Sequence, residues 1–185
     1  MNSVYFITGN RMKASEAREI LAGFGIMVQN KKLKIDEMQD PSAQSVAVKK
    51  AEDAFRVIKK PLFVEDTGLY IKSMHGYPGT MIKHFFDSIG PGGIVDFLNN
   101  KDRTAEAVTV VAFADNKGKV VTFKGVVKGK ISDHVSESRG FHWDSIFIPS
   151  GYDKTYAEMG QDEKNRISQR RKALEKFAKW LLKSR

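Results

Sequence analysis

Thr8-Gly9-Asn10 closes an apolar run, and Lys13 follows on a helical pattern that also carries Glu16. A backbone turn, a helix N-terminus and a lysine together suit a polyanion, because the first N–H groups of a helix lack intrahelical partners and its dipole is positive there. Neither GxxxxGK[ST] nor GxGxxG is present, so a solvent-facing turn with a surface lysine is the competing reading. Glu65-Asp66-Thr67-Gly68 puts two acids at the end of an apolar strand, where α/β sheets present ligand groups, although a plain polar turn has the same pattern. Alternation turns Glu65 and Asp66 to opposite faces, which predicts that only one of them looks into a given cleft. Glu37 is the freer acid past the second strand, because Asp40 reads as the N-cap before Pro41. A magnesium ion on phosphates needs only one or two carboxylates plus waters, so Glu37 and Asp66 suffice if the fold brings them together.

Two further segments carry chemistry-bearing residues. The apolar stripe Ile167, Leu174, Phe177, Leu181 passes through position 170 or 171, and both are arginine. Either a stem is buried with its head in water, or a guanidinium borders a cleft and reads something in it. Gly140-Phe141-His142-Trp143-Asp144 sets two aromatics around an acid, which suits stacking on a base or packing in the core. The histidines at 75, 84, 134 and 142 have no metal-ligand spacing and read as surface or loop residues.

These residues need elements to position them. Val4 to Ile7 read as a buried strand, followed by a helix from Arg11 to Phe24 with apolar positions Ala17, Ile20, Leu21 and Phe24. A strand near 28–35 and a helix from Ser42 come next, stopped by Lys60-Pro61. LFVED is a short strand, and Thr67-Gly68 is expected to turn the chain into another, LYIKSM. Short helices flank Pro91-Gly92-Gly93, a hairpin turns at Asn116-Lys117-Gly118, and one closing helix spans about 162–183. The class is α/β with a mixed sheet.

With 185 residues and 41% hydrophobic content, the chain fits one folding unit. Zero cysteines exclude disulfides, thiolate catalysis and cysteine-ligated zinc. A net charge of +9 favours polyanionic partners, whether nucleic acid, membrane surface or small phosphorylated molecules. No stretch reaches 18 uninterrupted apolar residues and MNSVYFITG has no signal-peptide pattern, so a cytosolic protein is expected.

Taken in order, Ile7-Thr8-Gly9-Asn10-x-x-Lys13-x-x-Glu16, Val64-Glu65-Asp66-Thr67-Gly68-Leu69, Pro78-Gly79-x-x-x-Lys83, GFHWDSIFIPSGYDKTYAEM and EKNRISQR resemble the inosine/xanthosine triphosphate pyrophosphatase family. The resemblance spans residues 7 to 175 and implies a cytosolic homodimer that hydrolyses ITP, dITP and XTP to the monophosphate and pyrophosphate with magnesium. It implies an elongated two-lobed α/β fold over residues 1–185, with a long mixed, twisted sheet flanked by helices and a substrate cleft between the lobes. It assigns Thr8, Gly9, Asn10, Arg11, Met12 and Lys13 to a phosphate loop, and Glu37 and Asp66 to magnesium. Asp66 is also its candidate for orienting or deprotonating the attacking water. Lys50, Thr67, Lys83, Lys164 and Gln169 become substrate contacts, Phe141, His142, Trp143 and Asp144 contact the base or nucleoside, and Arg170 reads the base edge.

One departure stands out: the family's Ser-His-Arg is Ser168-Gln169-Arg170 here, and a glutamine donates a hydrogen bond but cannot change charge with pH. Two alternatives remain beside this reading. One is a Maf-like pyrophosphatase acting on another modified nucleotide, against which the Ser-x-Arg signature argues. The other is a basic nucleic-acid-binding module using Arg166–Lys172, for which no RNP, zinc-finger or GXXG signature is present.

Overall fold

The computed structural model describes residues 3–36, 38–138 and 142–184, His142 by its backbone alone. The chain opens with β1 (Ser3–Ile7), whose alternate Val4 and Phe6 are buried, and passes through Thr8–Asn10 into α1 (Arg11–Ala22). β2 (Met27–Lys31) returns parallel to β1 and is shorter than the 28–35 expected. α2 (Ala43–Ile58) buries Ala43, Ala47, Ala51 and Ala54, small residues at helical spacing that let it lie close on the sheet. Its N-cap is Ser42, whose Oγ accepts from the Ser45 N–H, whereas Asp40 accepts from the Ser42 N–H at 2.7 Å. The expected Asp40 cap is thus a turn one step earlier.

β3 (Leu62–Ile71) is one continuous strand, so Thr67-Gly68 does not turn the chain. Gly68 is needed for proximity: a Cβ there would lie 2.8 Å from the Gly79 carbonyl carbon and 2.8 Å from the Tyr70 ring. β4 (Pro78–Gly79) pairs with the far end of β3, and α3 (Ile82–Phe97) is broken at Gly90, whose φ of 68° and ψ of 175° precede Pro91. β5 (Thr104–Ala114) and β6 (Val120–Ile131) form the expected hairpin. β7 (Phe147–Pro149) follows a 3₁₀ turn at His142–Ser145. The closing helix is split: after the short α4 (Tyr156–Met159), α5 (Gln161–Ile167) stops at Ser168, which is extended and caps α6 (Gln169–Lys183) through the Arg171 N–H.

Among the described residues seven strands form one mixed sheet, ordered β2-β1-β3-β5-β6-β7 with β4 on β3. At the β1 end, Phe6 stacks on Phe63 with centroids 4.3 Å apart, beneath α1 and the Leu174–Phe177 face of α6. The opposite face, with Leu62, Val64 and Val110, packs under α2. Further along the same long strands a separate cluster joins Leu69, Ile71, Val127, Trp143, Phe147 and Tyr156 to α3. Among the described residues no helix is long and apolar enough to cross a membrane.

Candidate active site

β1 pairs with β3 only as far as Phe63, and β4 joins β3 at Leu69. Between these contacts β3 has β5 on one side and, among the described residues, no strand on the other. A cavity of about 320 Å³ opens at that gap, a size suited to a small ligand. The Thr8–Asn10 turn and Lys13 line one wall, Lys50, Thr80 and Lys83 another, and Trp143, Asp144, Lys164, Gln169 and Arg170 a third. Glu65, Asp66 and Thr67 form the strand edge, and Ile7, Leu33, Ile35 and Ile82 supply apolar surface.

The gap changes the expected geometry of the two acids. They do point to opposite faces, Glu65 toward α1 and α6 and Asp66 toward α2, yet both line the cavity because it wraps the open edge of β3. Glu65 is buried, with Lys13 Nζ 3.1 Å from Oε1 and Arg170 Nε donating to both carboxylate oxygens at 3.0 and 2.9 Å. Arg170 Nη1 donates in turn to Glu16. Burial alone would raise the Glu65 pKa, but the charges of Arg170 and Lys13 outweigh it and hold the carboxyl at about 2. Burial likewise opposes the guanidinium charge of Arg170, and Glu65 and Glu16 reverse that effect and raise its pKa. Arg170 therefore does not present a free fork to a base edge: its Nε and Nη1 cross-link α6 to β3 and α1.

Asp66 lies 3.4 Å from Lys50 Nζ, each side chain about one-seventh exposed. Lys164 and Asp144 form a buried pair at 2.5 Å, with the ammonium 5.7 Å from the Tyr156 ring centroid. Thr67 Oγ1 is 2.7 Å from the buried Thr109 hydroxyl on β5. Trp143 is buried and packs edge-on against Phe147, which makes it a core aromatic. Lys83 pairs with Asp87 at 2.5 Å.

The turn after β1 is closed on itself. Asn10 Oδ1 accepts from the Met12 and Lys13 N–H groups, and the Asn10 N–H donates to Thr8 Oγ1. Two N–H groups expected to face a ligand are thus already capped. Arg11 and Met12 are exposed and do not line the cavity. Glu37, Phe141 and the His142 side chain lie outside the described residues.

The cavity's donors are hard oxygens, and among the described residues no group of three or more His, Cys, Asp or Glu is placed to hold an ion. Such a set fits a magnesium ion held mainly by phosphates and water, with Asp66 as its protein carboxylate, and does not fit a protein-caged zinc. Sequence reasoning gave no site role to Glu16 or Tyr156. Glu16 had a signal: it is a carboxylate on the same helical face as Ala17 and Ile20, and only a buried cation makes that acceptable.

The sequence model of the Ham1 family matches residues 4–180. The chain belongs to the Ham1 family. Among similar proteins is the dITP/XTP pyrophosphatase of Methanopyrus kandleri, 42% identical over 178 residues that cover 96% of this chain and 95% of that one. The inosine triphosphate pyrophosphatase of Saccharomyces cerevisiae is 39% identical over 193 aligned positions, covering 97% and 96%. A solved Ham1 protein from Coxiella burnetii superposes with a TM-score of 0.86 at 24% identity, covering 99% of this chain and 100% of that one, and shares the fold. Gln169, where the resemblance drawn from the sequence has a histidine, is 2% exposed and lines the cavity.

Proposed function

We propose that this Ham1 protein is a nucleoside triphosphate pyrophosphohydrolase that removes deaminated purine nucleotides, converting ITP, dITP and XTP to the monophosphate and pyrophosphate. The observation that carries the reading is the convergence on one cavity of Lys13, Lys50, Lys83, Lys164 and Arg170 against Glu65, Asp66 and Asp144, a cationic surplus suited to a polyphosphate. Full-length similarity to proteins named for these substrates supports it.

In this reading water attacks the α-phosphorus, the new P–O bond forms as the α–β anhydride bond breaks, and pyrophosphate leaves. Asp66 orients the water and accepts its proton. Lys13, Lys50 and Lys83 offset the charge that develops on the phosphoryl oxygens, and Thr8 to Asn10 bring the positive end of α1 against them. Trp143 with the Asp144–Lys164 pair forms the base wall, and Thr67 supports the floor. Magnesium, held by Asp66 and by Glu37, would polarise the phosphates when bound. The two ends of the sheet act as lobes of a single domain around the cavity. Exposed Ile89 and Phe97 on α3 support a homodimer, and the absence of cysteine supports a cytosolic setting.

The test is pyrophosphate release from a panel of ITP, dITP, XTP, GTP, ATP, CTP and UTP, with and without magnesium. The reading expects the deaminated purines to be cleaved far better than ATP, CTP and UTP, and only with the metal. Orthophosphate as product, or ATP cleaved as readily as ITP, overturns it; preference for another modified nucleotide returns the assignment to a Maf-like activity.

A further inference from the structure

Gln169 opens α6 directly after its cap, is 2% exposed, and lines the cavity beside Trp143 and Arg170. Its amide carries an acceptor on one arm and donors on the other, so a flip inverts what it offers a ligand. Tyr156 decides the flip. Its ring is 1% exposed and packed 5.1 Å from Phe147 and 6.3 Å from Trp143, measured between centroids. Its hydroxyl proton has one acceptor among the described residues, Gln169 Oε1 at 3.1 Å.

Turning the amide over would set Nε2 against the phenol and leave the phenolic proton buried without an acceptor, which costs more than a typical hydrogen bond returns. Ionising the phenol does not relieve this, because burial first and Asp144 second raise its pKa. Oε1 is therefore held toward Tyr156. Nε2, which has no partner among the described residues, is left for the cavity, while Arg170 has two of its nitrogens committed to Glu65 and Glu16.

We propose that Tyr156 is a positioning residue that fixes the polarity of the Gln169 amide, so that residue 169 donates to the 6-oxo oxygen of a bound purine and opposes a 6-amino group. The inference rests on the proposed nucleotide pyrophosphohydrolase reading and names how that site selects its base. Adenine presents N6 donors where hypoxanthine presents O6, so a fixed donor discriminates between them. Glutamine cannot change this polarity by titration; the phenol sets it instead.

The test compares kcat/KM for ITP, ATP and the triphosphate of purine riboside, which lacks a 6-substituent. Wild type must first release pyrophosphate from ITP; if it does not, the functional reading fails and this inference falls with it. Given that activity, Tyr156→Phe frees the amide to flip, and the ITP-to-ATP ratio is expected to fall by about tenfold, with ITP also losing its advantage over purine riboside triphosphate. A merely structural role would lower all three substrates together, and that outcome overturns the proposal. Gln169→Glu keeps an acceptor for Tyr156 but removes the donor, so it should reproduce the loss of ratio, and Tyr156→Phe combined with Gln169→Glu should add nothing further. Should Tyr156→Phe fail to fold, Gln169→Glu decides alone: an unchanged ITP-to-ATP ratio overturns the assignment.

Discussion

Glu65→Gln is expected to destabilise the protein by about 3 kcal/mol at pH 7. The Glu65 side chain is 1% exposed and receives Arg170 and Lys13, and its carboxyl sits at about 2 against an ordinary 4.5. At about 1.4 kcal/mol per pH unit, that difference is worth about 3 kcal/mol. Removing one partner of a buried pair costs about the same, because Arg170 keeps its charge and loses half of its carboxylates. The pH dependence follows from the direction of the shift. A folded-state pKa held below the unfolded one gives stability that is fully present above about 4.5 and is lost as pH falls toward 2, where the carboxylate takes up its proton. Glutamine does not titrate, so the gap between wild type and variant should close across that window. Urea unfolding of both proteins at fixed ionic strength, from pH 7 to pH 2.5, measures it. A gap below about 1 kcal/mol at pH 7, or one that stays constant down to pH 3, would refute the placement of Glu65 as the charged hub between α6 and β3.

Two changes separate the chemistry from the scaffold. Asp66→Asn should lower pyrophosphate release by about two to four orders of magnitude while shifting stability by less than about 1 kcal/mol, since its contact with Lys50 at 3.4 Å is loose and partly exposed; steady-state kinetics and urea unfolding on one preparation check both. Gly125→Ala should do the reverse in origin, because its Cβ would stand 2.0 Å from the Gln169 carbonyl oxygen and 2.6 Å from the Ala173 nitrogen, pushing α6 off β6 at a cost of about 3 kcal/mol, with activity lost through displacement of Gln169 and Arg170; wild-type stability in that variant would contradict the packing.

Local signals were sufficient for most elements. Turn residues between β-branched runs marked the β5–β6 hairpin, and the apolar stripes of α1 and α2 marked those helices. The misreadings have tertiary causes. Gly68 looked like a turn because the sequence cannot show that Gly79 and the Tyr70 ring stand where a β-carbon would be. The closing helix read as one because Ser168 fits a helical face as well as a cap, and only its extended backbone, with φ of −61° and ψ of 154°, separates α5 from α6. At the site, Lys13, Lys83, Lys164 and Asp66 were legible as motif residues, but their convergence with Lys50 on one cavity was not, since these lysines reach it from four separate helices.

The two acids of β3 show where local reasoning and topology part. Alternation correctly turned Glu65 and Asp66 apart, and from that alone only one should meet a ligand. The missing premise was that β1 leaves β3 after Phe63 while β4 joins only at Leu69, so the strand between is an edge in the middle of a sheet. An edge opens both faces to the same space. One acid can then face α2 with Lys50 beside it, while its neighbour turns to the other face, binds Arg170 and Lys13, and becomes part of the frame. Burial separates the two acids: the Asp66 side chain is 14% exposed, whereas that of Glu65 is 1% exposed and held by two cations. The same division explains the arginine on the apolar stripe of α6, whose partner on α1 is the equally misplaced Glu16. Each would be costly in the core by itself, and together with Glu65 they fix the helix that carries residue 169 against the strand that carries Asp66.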